Sequence, residues 1–128
     1  DGEFVIAIHI SPQSASMGSA YQRFIPRNEM DIAVVGVGSW IELDADGNIA
    51  NARISLGAVA ATPLFAEQAS QFLVGKEPSD DNFSQAAELA KQIATPITDM
   101  RGTAQYRTHL VGVLVTRTLT TALARAQA

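Results

Sequence analysis

Asp31 to Trp40 reads DIAVVGVGSW, an apolar run that ends in Gly36-Val37-Gly38. A strand running into G-x-G is how a dinucleotide-binding turn begins, and its chemistry would be phosphate binding by backbone amides at a helix N-terminus. The residues that follow argue against it. Trp40 and Ile41 stand where the third glycine and the helix should begin. What comes next reads as a hairpin, and no acidic residue closes a second strand about twenty positions on. Glycines on one face of a strand instead let a neighbouring group pack close.

Three other sets of residues have the types that chemistry needs. DADGN places Asp44, Asp46 and Asn48 at alternate positions like a calcium loop. An EF-hand then requires Gly where Ile49 stands and a bidentate Glu where Ser55 stands, so a hairpin turn is the better reading. His9 lies in an apolar run and His109 in a helical one, each without a carboxylate pattern beside it. They read as structural residues, and no metal site is assigned. RFIPRNEMD gathers Arg23, Arg27, Glu29 and Asp31. It is either a solvated loop with an ion pair worth under about 1 kcal/mol, or a contact for an anion or cofactor. No Ser-His-Asp or paired-carboxylate arrangement can be named, so no catalytic residue is assigned.

The elements that must position these residues fall into two blocks. FVIAIHI (4–10) reads as a strand buried on both faces, and SPQSASMGS as a loop. AYQRFI is a second strand, closed by Pro26. The third places Ala33, Val35, Val37, Ser39, Ile41 and Leu43 on one face, with Gly36, Gly38, Trp40, Glu42 and Asp44 on the other. Asp46-Gly47 then turns the chain into IANARISLGAV, where Ala50, Ala52, Ile54 and Leu56 alternate with Asn51, Arg53 and Ser55. From Thr62 the texture becomes alanine-rich and helical. Thr62 as N-cap, Pro63 at the first helical position and Gly75 as stop define a first helix. A second starts near Ser79-Asp80-Asp81 with the stripe Phe83, Ala86, Ala87, Ala90, Ile93, Ala94, and ends by Pro96. A third starts near Thr103 and buries Tyr106, Leu110, Val113, Leu114, Leu119 and Leu123. The expected fold is α+β: an antiparallel sheet of three to four strands packed on one face by three helices.

The 128 residues form one domain's worth of chain, with 47% hydrophobic and 17% charged residues, so a real core is expected. A net charge of −4 without a basic block sets nucleic-acid partners aside. The absence of cysteine excludes disulfides, thiolate metal sites and iron–sulfur ligation within this chain and fits a cytoplasmic setting. No apolar run is long enough to span a bilayer, so no membrane role is expected. Starting at Asp1 without a Met, the sequence reads as a piece of something longer, or a processed product.

Three segments appear in order: SAYQRFIPRNEMDIAVVGVG, ARISLGAVAATPLFAEQA and PITDMRGTAQYRTHLVGVLVTR. Together they resemble the C-terminal domain of the flavoprotein (medium) subunit of molybdenum hydroxylases, the carbon monoxide dehydrogenase and xanthine dehydrogenase type. RGTAQYRTHL is close to the family's RGSAEYRRHL, and LGAVAATPL to its usual LGAVAPTPL. The resemblance runs from about Glu3 to the last helix. It implies residues 1–128 as a single domain, with 1–10 a strand joining it to an upstream FAD-binding domain. It implies further partners: an iron–sulfur small subunit carrying 2Fe-2S clusters and a large subunit carrying molybdopterin. Electrons would pass from the clusters through FAD, bound mostly by the upstream domain, to an acceptor such as NAD. This domain would cover the flavin and would not be catalytic alone. The family commonly has Lys or Arg near the isoalloxazine ring a few residues after its S-A-Y/F segment, and the matching position is Arg23. Many relatives continue with two consecutive basic residues, where this chain has Arg27-Asn28. Tyr21, beside Arg23, either packs on the flavin or fills the sheet face. DMRGTAQYR reads as structural, with Asp99 and Arg101 tying the start of the last helix and Thr103 capping it. The alternative is a stand-alone protein-interaction or small-ligand-binding domain without flavin.

Overall fold

The computed structural model describes residues 2–10, 12, 15–27 and 30–128. The first half is an antiparallel meander: β1 (Met17–Phe24), β2 (Val35–Leu43), β3 (Ile49–Gly57) and β4 (Leu64–Phe65), in that spatial order. Three helices follow: α1 (Glu67–Leu73), α2 (Asp80–Ile93) and α3 (Ala104–Ala126). α3 lies on β1 and β2, α1 on β3, and α2 packs against both helices. This is the expected α+β arrangement, with all helices on one sheet face.

Alternation along the strands builds the core. Val35, Val37, Ile41, Ile54 and Leu56 are buried beneath the helices, in one core with Phe83, Ala86, Ala90, Val111, Val115, Leu119 and Ala122. β1 contributes Gly18 and Ala20 to that contact, with Phe24 packed at its end. A Cβ on Gly18 would collide with the carbonyl of Ala122 and the amide of Ala126, so α3 rests directly on the strand backbone. Two hydroxyls inside the core pair with each other: Ser39 Oγ and Thr118 Oγ1, both buried, are 2.7 Å apart.

The punctuation read from sequence holds at most termini. Ser79 Oγ accepts from the Asn82 amide at 3.3 Å, and Thr103 Oγ1 from the Tyr106 amide at 3.1 Å. Gly47 and Gly75 take positive φ, at the hairpin turn and just past α1, as left-handed positions require.

Five expectations are corrected. Residues 2–10 take no regular structure, and Phe4, Val5, Ile6, Ile8 and Ile10 are between 80 and 88% exposed. Apolar β-formers are only a strand where a ladder satisfies their amides and a face receives their side chains, and the sheet takes up neither. Thr62-Pro63 does not start a helix: Leu64 and Phe65 pair with Leu56 and Ser55, and α1 begins after Ala66. The open edge of β3 outcompetes the cap signal. A register shift between Glu42 and Leu43 places Leu43 opposite Ile49, so Ile49, not Ala50, is buried. Tyr106 is 42% exposed, lying edge-on to Phe24 at 6.1 Å. Val113 and Leu123 are half-buried, while Arg107, Val111, Val115 and Thr118 are the buried positions of that helix. The strand expected from Asp31 begins at Val35. Glu29, grouped by sequence with Arg23, Arg27 and Asp31, lies outside the described residues, as do Ser11, Gln13 and Ser14 of the first loop.

Candidate functional site

With the helices on one side, strand alternation leaves the other face of the sheet open. It carries Ser19, Tyr21 and Arg23 from β1, Gly36, Gly38 and Trp40 from β2, and Asn51, Arg53, Ser55 and Gly57 from β3. Tyr21 is paired with Gly38, Arg23 with Gly36, and Gly36 with Gly57. Gly36, Gly38 and Gly57 therefore form a patch without side chains on that face.

Tyr21 uses it. A Cβ on Gly36 would sit 2.8 Å from the Tyr21 hydroxyl oxygen, and one on Gly38 would sit 3.7 Å from its ring. The phenol therefore lies diagonally across β2, over both glycines. At 66% exposure, one side of the ring rests on backbone and the other faces solvent. Arg23, exposed two residues on, has no ion pair among the described residues. A flat aromatic with an unneutralised guanidinium beside it suits a planar ring system that takes on negative charge, by stacking and by Coulomb attraction.

Arg27 lies beyond the end of β1, at the same end of the sheet. Its Nη2 donates to the Met30 carbonyl at 3.0 Å, its amide to Asp31 Oδ2 at 3.2 Å, and its Nε stands 3.8 Å from that carboxylate. Asp31, with a side chain only 4% exposed, also accepts the Ile32 amide at 2.9 Å and faces Arg101 Nε at 3.5 Å. Burial opposes its ionisation, but the Ile32 and Arg27 amides and the two guanidiniums outweigh burial and hold its pKa below the ordinary value. A second carboxylate, Asp99, is lowered chiefly by the Arg107 guanidinium at 2.7 Å and then by the Arg101 amide at 2.9 Å.

At the opposite end of the open face, Arg53 stands 5.9 Å above the Phe65 ring. A cavity of about 680 Å³ opens there between Met17, Trp40, Asn51 and Arg53 and the segment carrying His9, Ile10 and Pro12. The remaining sequence candidates lie away from Tyr21 and Arg23. Asp44 Oδ1 accepts the amides of Asp46 and Asn48, both at 2.9 Å, which closes the hairpin. His9 and His109 are exposed. No group of metal-ligating side chains occurs among the described residues.

From sequence, Arg23, Tyr21 and Arg27 were candidates through a family resemblance; the structure puts Tyr21 and Arg23 on the open sheet face and Arg27 beyond the end of β1. Sequence reasoning missed that Gly36 and Gly38 serve Tyr21, and it missed Arg107. The signal for Arg107 was available: it falls three, four and seven positions before Leu110, Val111 and Leu114, on the stripe that must face the sheet.

A family model described as the CO dehydrogenase flavoprotein C-terminal domain matches residues 19–122. The carbon monoxide dehydrogenase medium chain of Afipia carboxidovorans is 36% identical over 126 residues, 98% of this chain and 43% of that protein. The xanthine dehydrogenase FAD-binding subunit of Escherichia coli O157:H7 is 27% identical over 125 residues, 97% of this chain and 42% of that one. Among solved structures, a carbon monoxide dehydrogenase from Hydrogenophaga pseudoflava lacking the Mo-pyranopterin moiety superposes with a TM-score of 0.83 at 34% identity, covering 88% of this chain and 39% of the other. The chain thus spans about two fifths of the length of these relatives.

Proposed function

The chain belongs to the CO dehydrogenase flavoprotein C-terminal domain family, and from that premise we propose that it is the part of a molybdenum hydroxylase's FAD-carrying subunit that covers the flavin. FAD, when bound, supplies reversible acceptance of electrons. It is held mostly by an upstream FAD-binding domain, which residues 1–10 join to this one. Iron–sulfur and molybdopterin subunits deliver the electrons, and an acceptor such as NAD removes them. The setting is cytoplasmic; among the described residues no helix is long and apolar enough to cross a membrane.

The observation that carries this reading is Tyr21 lying on Gly36 and Gly38 with its outer side free. In the assembled subunit the phenol stacks against the isoalloxazine and keeps water from one side of it. Arg23 stands where a cation offsets the charge of the reduced ring. Arg27 adds a second positive charge at the same end. None of these residues makes or breaks a bond, so the domain tunes and shields electron transfer.

The test has two arms. Titrated with FAD, the 128 residues alone are expected to show no saturable fluorescence quenching; a yellow, flavin-saturated preparation overturns the reading. In the FAD-loaded complete subunit, Tyr21→Ala is expected to change the visible flavin spectrum and raise its fluorescence. A spectrum identical to that of the parent subunit removes Tyr21 from the cofactor.

A further inference from the structure

Arg107 is a charged side chain where a core residue belongs. Its side chain is 4% exposed, and its Nε–H is buried without an acceptor among the described residues. Placing a guanidinium there is costly, and what it holds explains its position. Nη1 donates to the Val34 carbonyl at 2.8 Å, and Nη2 to Asp99 Oδ1 at 2.7 Å.

Both contacts lead to the same loop. Val34 donates its amide to the Phe24 carbonyl at 2.9 Å, which closes the base of the 25–33 loop between β1 and β2. On the other side, Asp99 Oδ1 also accepts the Arg101 amide at 2.9 Å, and the Asp99 and Gly102 backbones exchange hydrogen bonds at 3.1 and 3.2 Å. That tight turn aims Arg101 at Asp31, whose carboxylate in turn gathers the amides of Arg27 and Ile32.

We propose that Arg107 is a positioning residue for the cation end of the open sheet face. It grips the 25–33 loop at its base through Val34 and at its far side through Asp99, Arg101 and Asp31, and so fixes where Arg27 stands. The link to flavin rests on the function proposed above; the mechanical link does not. The arrangement ties the start of α3 and the turn just before it to the segment between β1 and β2, 73 residues earlier.

The experiment reads ¹⁵N order parameters of the Arg27 and Ile32 amides in the 128-residue chain. Asp31→Asn and Asp99→Asn are both expected to lower them from the rigid range, about 0.85, toward about 0.6, although Asp99 touches neither amide. Arg101→Gln, which leaves the buried Arg107–Asp99 pair in place, provides the same reading without risk to the fold. If Asp31→Asn loosens the two amides while Asp99→Asn and Arg101→Gln leave them at parental values, the relay is overturned. Arg27→Ala and Asp99→Asn in the FAD-loaded subunit separate this inference from the functional one. Arg27→Ala is expected to lower the flavin midpoint potential, and Asp99→Asn to lower it in the same direction. A shift with Arg27→Ala alone overturns the relay. Loosened amides with no shift from Arg27→Ala uphold the relay and overturn the placing of Arg27 near flavin.

Discussion

At the residue scale, the open face works through atoms that are missing. Tyr21 lies flat because Gly36 offers no Cβ, and the two glycines beneath it are not equivalent. Alanine at 36 meets the hydroxyl end of the ring at 2.8 Å, alanine at 38 meets the ring at an ordinary 3.7 Å. Gly36→Ala is therefore expected to lift the phenol off the sheet while changing stability by under about 1 kcal/mol, because what must shift is the end of a flexible side chain. Gly38→Ala is expected to leave the ring in place. Ring-proton shifts of Tyr21 measure this, and displacement by both or by neither contradicts it. The sequence allowed only part of this to be read. Two glycines on one strand face announce a close approach, but which side chain approaches depends on the register of β1 against β2. A one-residue slip would have put Gln22 or Ala20 opposite Gly38 instead. Arg107 was hidden for a different reason: its neighbours in sequence read as a capped, polar helix start, and only the stripe of α3 shows that it points inward.

At the element scale, the packing of α3 on β1 is the most demanding contact. Gly18 lies against the backbone of Ala122 and Ala126, and backbone cannot rotate away as a side chain can. Gly18→Ala is expected to cost at least the upper end of the 1–3 kcal/mol usual for overpacking, read as a fall in the urea unfolding midpoint. A midpoint within error of the parent's would mean that α3 sits farther from the strand. The helices themselves were legible, since Ser79, Thr103, Gly75 and the Phe83–Ala90 stripe are local signals. β4 was not. Two residues carry no periodicity, and the pairing of Leu64 and Phe65 is a response to an edge of β3 that exists only after the sheet has formed. FVIAIHI failed in the opposite direction, having strong local preference but no ladder to join.

At the scale of the whole molecule, the clamp at the end of the sheet links stability to pH. Asp31 and Asp99 both have folded pKa values below ordinary, so the unfolded chain binds more protons than the folded one in that range. Their contribution to stability is complete above the ordinary aspartate value of about 3.9, and it is lost as pH falls through the folded values. Thermal midpoints are expected to be flat near neutrality and to decline below about pH 4, with a shallower decline in the Asp31→Asn, Asp99→Asn double variant. An equal slope in both chains would show that these carboxylates are not what acid attacks.

The hydrogen bond between Ser39 and Thr118 has a consequence for the choice among near-identical structures. Thr118 is the one hydroxyl on a buried side of α3 otherwise lined by Leu110, Val111, Leu114, Val115, Leu119 and Ala122, and a slide of the helix by one turn, about 5.4 Å, would carry it away from Ser39. Residues four away from Thr118 are Leu114 and Ala122, so either slide would leave the Ser39 hydroxyl facing hydrocarbon, a loss of about 1–3 kcal/mol. The buried pair of hydroxyls thereby favours the same translational setting of α3 that the Gly18 contact and the Arg107–Val34 hydrogen bond require. Arg107 and everything it grips are aligned with the sheet by that same choice.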